Sequence, residues 1–178
     1  LAVELGSPEM QRHKLTSRLT CTLTLVGALF LLGACDGSGG PTSPGSVSTA
    51  EIESAIFQLT NAARANQGLS PLALRETLSQ VAREHSQNMR DEGFFGHENQ
   101  AGQGLKQRLN AAGISYHAAS ENLVRVSNAP DPADVAFDLL VGSPEHEENI
   151  LNQKFEQVGV GAAKSGDTYW VTQIFIQP

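Results

Sequence analysis

Apolar residues first recur at helical spacing between Ala50 and Asn66, where Ile52, Ile56, Leu59 and Ala63 fall at i, i+4, i+7 and i+11. That spacing predicts a helix with one buried face. It leaves Asn61 and Arg64 off the stripe, as groups expected to bond neighbouring backbone rather than take part in chemistry. Gly68 ends the helix, and Leu69-Ser70-Pro71-Leu72 reads as an extended connector. A second helix, from about Arg75 to Glu92, carries Leu78, Val81, Ala82, His85 and Met89 on one side. His85 lies among apolar neighbours there, so a hydrogen-bonded core histidine is expected in preference to a ligand.

Gly93-Phe94-Phe95-Gly96-His97 breaks the pattern, with two phenylalanines to anchor a loop and His97 presented at its end. A short third helix follows, Leu105 to Ala112, with Gly113 as its stop. Glu121 to Val126 alternates as a strand does. Asp131-Pro132 starts a fourth helix that runs to about Val141. Ser143 is a good N-cap and Pro144 suits the first helical position, so a fifth short helix presents His146 in its first turn, with Ile150 four residues on. The chain closes with a hairpin, Val158 and Val160 alternating with glycines, a turn at Ser165-Gly166-Asp167, and a return strand from Tyr169 to Ile176. Gly159 and Gly161 imply that another element passes close over that strand. Helices covering a mainly antiparallel sheet give an α/β (α+β) sandwich.

The first 49 residues lack this patterning. Met-Gln-Arg-His-Lys-Leu-Thr-Ser-Arg from Met10 is a basic segment, which makes Met10 the expected true start, and Leu19 to Ala34 is apolar over about 16 residues. That length is short for a membrane span, which needs roughly 20 residues, and right for a secretory signal. It ends Leu32-Gly33-Ala34-Cys35, which looks like a bacterial lipobox, with cleavage before Cys35 and lipid on its sulfur. Residues 1–34 are therefore expected as signal peptide and 35–49 as lipidated cysteine and flexible tether. Residues 50–178 form the folded domain, exported and lipid-anchored to the bacterial cell envelope on its periplasmic or cell-surface side. Cys21 and Cys35 are the only cysteines, so the domain must be stable without disulfides.

The chain carries 12 basic and 19 acidic residues; removing the 3 basic and 2 acidic ones of the leader leaves 9 and 17, a net charge of −8. Such a surface disfavours nucleic acid and offers no polybasic patch to anionic lipid. Membrane attachment would rest on Cys35 alone.

Several chemistries are missing. His97-Glu98 and His146-Glu147 both begin His-Glu, but neither has a second histidine four residues on, as a zinc-protease helix requires. There is no Gly-x-Ser-x-Gly elbow, no phosphate or dinucleotide loop, and no cysteine nucleophile once Cys35 is lipidated. What remains is His97, Glu121 and His146, each at the edge of an element, expected to meet at the floor of one cleft. Two imidazoles and a carboxylate are the minimum first shell of an open metal site, and equally a set of hydrogen-bonding groups for a polar ligand.

The order of segments is more specific than any one of them. Asn61-Ala-Ala-Arg64 precedes Gly68-Leu-Ser-Pro71-Leu72, then come Phe95-Gly-His97, Arg108 with Ala112-Gly113, and Glu121-Asn122. Ser143-Pro-x-His146 with Asn149-Ile150-Leu151 follows, then Val158-Gly-Val-Gly161 and Tyr169-Trp170-Val-Thr-Gln173-Ile-Phe175. Over nearly all of residues 52–177 this resembles the CAP superfamily (cysteine-rich secretory proteins, antigen 5 and pathogenesis-related proteins, also called SCP-like) in its bacterial, disulfide-free form. The resemblance implies a three-layer α-β-α sandwich with a large open cleft. It also implies that His97, Glu121 and His146 match three members of a His/Glu tetrad that binds a divalent cation such as Zn2+ in some relatives. No residue matches the second glutamate, Leu140 stands where bacterial relatives often carry tryptophan, and Glu147 replaces a frequent arginine.

Three functions are compatible with this. The first is a binding module that takes up a small lipid, glycan or peptide on His97, Glu121 and His146, directly or through a metal. The second is a metal-dependent hydrolase, with the same residues as ligands and general base. The third is a buried polar network without catalysis.

Overall fold

The computed structural model describes residues 47–178 and the backbone of Val3–Glu4. The remainder of the expected signal peptide, Cys35 and the tether as far as residue 46 lie outside the described residues. In chain order the elements are β1 (Val3–Glu4), α1 (Thr49–Asn66), β2 (Ala73–Leu74), α2 (Glu76–Glu92) and α3 (Leu105–Ala111). They continue with β3 (Ala118–Ser127), α4 (Pro132–Val141), α5 (Pro144–Leu151), β4 (Gln157–Ser165) and β5 (Thr168–Gln177).

One sheet runs through the domain in the order β1-β3-β5-β4-β2. Its three long strands are antiparallel, and the two-residue stubs β1 and β2 lie parallel to β3 and β4 at the edges. β3 is longer than its alternating pattern suggests because it pairs with β5 from Ala118↔Gln177 to Ser127↔Thr168. β2 has too little text of its own to be read as a strand; it forms because Ala73 and Leu74 pair with Gln157 and Val158.

Alternation along the strands divides the core in two. On one face Ile52 and Ile56 of α1, Phe137 and Leu140 of α4 and Ile150 of α5 pack against Val124, Val126, Val160, Val171 and Phe175. On the other, Leu78, Val81 and Ala82 of α2 and Leu109 of α3 pack against Ile174 and Ile176. The result is the three-layer α-β-α sandwich. The expected glycine approach is present: a Cβ on Gly159 would strike the backbone of Leu78 and Ser79, and one on Gly161 the backbone of Ala82 and Arg83. Bare strand backbone lets α2 settle directly on β4, and Ser86 Oγ donates to the Gly161 carbonyl at 3.0 Å.

Local signals set the helix ends. Ser48 and Glu51 form a reciprocal capping box on α1. Gly93, at φ 70°, closes α2 with its N–H on the Met89 carbonyl. Pro132 and Pro144 each occupy the start of their helices, but neither Asp131 nor Ser143 makes the expected side-chain cap bond.

Arg64 requires a correction. It belongs to the buried face of α1 with Ile52, Ile56 and Thr60, and is 2 % exposed. The physical reason is its acceptors: Nε donates to Ser70 O at 2.9 Å, and Nη1 to Ile150 O and Asn152 O at 2.8 and 2.9 Å. Ile150 and Asn152 lie at the C-terminal end of α5, where the helix dipole is negative and its last carbonyls lack intrahelical partners. The expectation that Arg64 and Asn61 bond backbone was sound; Asn61 exchanges two hydrogen bonds with Leu72, at 2.8 and 3.1 Å.

Candidate functional site

Residues directly opposite in an antiparallel pair share a face. Glu121 pairs with Ile174, so it points into the α2–α3 layer; Asn122 pairs with Gln173 and points into the α1–α4–α5 layer. This one-residue alternation divides the polar residues into two sets.

In the α2–α3 layer, His97 Nδ1 lies 2.9 Å from Glu121 Oε1. Arg108 grips the same carboxylate with two N–H groups, Nη1 to Oε2 at 2.8 Å and Nη2 to Oε1 at 3.1 Å. Nη2 also donates to the backbone carbonyl of His97 at 3.0 Å. The side chains of Glu121 and Arg108 are only 3 % and 8 % exposed, whereas that of His97 is 40 % exposed. Burial alone would raise the Glu121 pKa, but the hydrogen bonds from His97 and Arg108 and the charge of Arg108 outweigh it and hold the carboxyl below its ordinary value. Glu121 is therefore ionised, and a carboxylate only accepts, so His97 carries its proton on Nδ1. In the neutral ring this leaves the lone pair on Nε2, the nitrogen away from the carboxylate.

The loop that presents His97 is held from a second side. His85 Nε2 contacts the Gly96 carbonyl at 3.0 Å, and since a carbonyl only accepts, the ring donates. His85 is fully buried against Phe94, with ring centroids 6.0 Å apart, as the apolar face of α2 foretold. Burial lowers its pKa from 6.5 to about 4. Between those values the unfolded chain binds the extra proton, so stability falls as pH drops from 6.5 towards 4. A separation of that size corresponds to about 3 kcal/mol. Urea unfolding across this range is expected to show that loss, and His85→Gln, which keeps a donor for Gly96, should remove most of it. An unchanged slope in the variant would assign the acid sensitivity elsewhere.

In the opposite layer, α5 docks on β3 through its backbone and its asparagine. Asn122 Nδ2 donates to the His146 carbonyl at 3.0 Å and to Gln173 Oε1 at 3.2 Å. Asn149 Nδ2 donates to Asn122 Oδ1 at 2.8 Å, and Ser120 Oγ to Asn149 Oδ1 at 2.6 Å. Gln173 Nε2 continues to Thr60 Oγ1 at 2.8 Å, and Thr60 to the Ile56 carbonyl at 2.7 Å. His146 is 2 % exposed. Of the three expected site residues, then, His97 and Glu121 are in contact, while His146 reaches the same strand by its main chain from the other face.

Sequence reasoning assigned no role to Arg108, although a signal was present. Leu105, Arg108, Leu109 and Ala112 follow the i, i+3, i+4, i+7 rule, which puts a cation on the buried stripe of α3 and demands a carboxylate facing it. Arg108 also walls a cleft of about 450 Å³ between α2 and α3, lined with the carboxamides of Gln80, Asn88, Asn99, Gln103 and Gln107.

The residues do not suit a metal as arranged. Both oxygens of Glu121 are held by Arg108 and Nδ1 of His97 is committed to the carboxylate, which leaves one outward imidazole nitrogen. Among the described residues no three His, Cys, Asp or Glu groups are placed to hold an ion.

The layers, the His97–Glu121 contact and the glycine-paved β4 together define a CAP-type sandwich. The sequence model of the CAP, or cysteine-rich secretory protein, family matches residues 57–175, and the chain belongs to that family. Among its relatives is the uncharacterised Bacillus subtilis protein YkwD, 38 % identical over 135 residues, which cover 76 % of this chain and 50 % of YkwD. The chain thus spans half the length of that curated relative. An extracellular protein of Bacillus anthracis containing an SCP domain is 29 % identical with a TM-score of 0.65, over 73 % of this chain and 41 % of that one. An outer surface protein of Borrelia burgdorferi shares the fold at 20 % identity and a TM-score of 0.66, over 74 % and 96 % of the two chains.

Proposed function

We propose that the chain is an extracytoplasmic binding module, held to the cell envelope by a lipid on Cys35, whose His97 takes up the polar group of a small lipid, glycan or peptide. The observation that carries this reading is the exposed imidazole seated on a buried, arginine-neutralised carboxylate. It is a hydrogen-bonding group held in place by that contact, with 40 % of its side chain exposed. The hydroxyls of Ser86, Ser120 and Thr60 are engaged with Gly161, Asn149 and Ile56. Arg108 is shared between this contact and the wall of the α2–α3 cleft, whose lining includes Glu84 and five carboxamides but not His97. Export is supported by the basic segment, apolar run and lipobox-like ending of the leader, and by the extracellular and surface descriptions of the two structural neighbours. No described helix is long and apolar enough to cross a membrane.

The test uses the full chain extracted from its own envelope, with co-purifying small molecules identified by mass spectrometry. Retention of a lipid, glycan or peptide is expected, falling by about tenfold in His97→Ala, the weight of one hydrogen bond at the upper end of its usual range. That variant leaves the Arg108–Glu121 pair intact and should remain folded. A lowered melting temperature with unchanged retention would instead make His97 part of a structural network.

A further inference from the structure

The geometry points to Arg108 as a built-in cation that occupies the place of a divalent metal, leaving His97 Nε2 as a direct acceptor for an O–H or N–H of the ligand. The inference deepens the binding reading and rests on His97 being the group that meets the ligand.

A carboxylate 3 % exposed, in the layer between α2 and the sheet, must be neutralised by something close. A divalent ion would do so by taking one or both oxygens and at least two further ligands. Here the guanidinium takes both oxygens, at 2.8 and 3.1 Å, in a forked geometry that an ammonium could not reproduce. The same Nη2 holds the His97 carbonyl at 3.0 Å, so the cation fixes both the carboxylate and the main chain of the loop. It does so from α3, whose register is set by Leu109, fully buried. A metal entering this position would have to displace a side chain that is only 8 % exposed.

The consequence concerns the ligand. Nearby Zn2+ would polarise an oxygen and favour anionic or carbonyl groups. An arginine already spent on Glu121 offers no such attraction, and the surrounding chain, net −7, repels anions. What faces outward is a lone pair, which selects donors such as sugar hydroxyls and amide N–H groups over phosphates and carboxylates.

The experiment is a calorimetric titration of the full-length, chelator-treated protein with ZnCl2 and MnCl2, with elemental analysis after gel filtration. The wild type is expected to retain less than about 0.1 equivalent of either ion, for want of three ligands. In Arg108→Met, Zn2+ affinity should rise by at least about tenfold, with the gain abolished by adding Glu121→Gln. Stoichiometric metal in the wild type that is lost in His97→Ala overturns the inference, whatever is found of the ligand. Should Arg108→Met fail to fold, Arg108→Lys serves, since one ammonium cannot cover both carboxylate oxygens; no gain in Zn2+ affinity in any folded Arg108 variant also counts against it.

Discussion

Replacing Arg64 by methionine is expected to cost on the order of 4 kcal/mol, more than most single substitutions. The side chain is the buried hub of α1, with three carbonyl contacts between 2.8 and 2.9 Å and a longer one to Phe155 O at 3.5 Å. Methionine restores much of the volume and none of the donors. The carbonyls of Ile150 and Asn152 would be left buried or half-buried without this donor, at about 1–3 kcal/mol each, while that of exposed Ser70 turns to water. For a domain of this size the expected fall in melting temperature is about 15 °C. Arg64→Lys should recover only part of this, because one ammonium cannot reach Ser70 and Asn152 together in the fork that the guanidinium supplies. Because Arg64 secures the C-terminal end of α5, amide exchange in Pro144–Leu151 should quicken in both variants. A loss below about 1 kcal/mol would mean that the carbonyls find water readily and that α5 does not depend on this contact.

The second large effect is expected at Arg108. Removing one partner of a buried ion pair leaves an uncompensated charge and costs about 3–5 kcal/mol. Arg108→Met should therefore destabilise the protein by that amount near neutral pH. The double variant Arg108→Met with Glu121→Gln should regain most of the loss, since a neutral amide needs no cation. The coupling between the two sites, measured by denaturant unfolding of the four proteins, is expected to exceed about 2 kcal/mol. The pH dependence follows in sign. Glu121 has a depressed folded pKa, so its contribution is complete above the ordinary carboxyl value of 4.5 and is lost as pH falls through the lower folded value. Without Arg108 the burial effect dominates and the carboxyl pKa rises, so relative to the wild type Arg108→Met should gain stability on acidification from its raised folded value down to 4.5, whereas the wild type loses the Glu121 contribution only below 4.5. Parallel pH profiles for the two proteins would show that Glu121 is not the group Arg108 serves.

Much of this architecture was legible in the sequence because the signals were local. The i, i+4 spacing of Ile52 and Ile56, the glycine at the end of α2 and the prolines opening α4 and α5 each act within one turn of chain. Gly159 and Gly161 foretold a close approach, although not that α2 makes it. What escaped depends on partners far apart. β2 is a strand only because β4 lies beside it. Arg64 looked peripheral because the stripe through Leu59 and Ala63 was as regular as the one through Ile56 and Thr60, and only the carbonyls of α5 distinguish them. The site itself was half legible. Of the three residues expected to meet, His97 and Glu121 are in contact across 24 residues. The part of Arg108 required knowing which way β3 turns Glu121, and the same turn directs Asn122 to the other layer, where it holds the main chain of His146. That one-residue alternation is invisible in spacing counted along the chain.

The binding role of His97 requires that an ionised Glu121 orient the ring and leave its outer nitrogen to accept. Long-range ¹H–¹⁵N correlation spectroscopy of the full-length protein at pH 7.5 reads that state directly. The prediction is a single neutral tautomer for His97 with the proton on Nδ1, which becomes a tautomeric mixture in Glu121→Gln. A wild-type His97 protonated on Nε2, or averaging between tautomers as a free imidazole does, would contradict it.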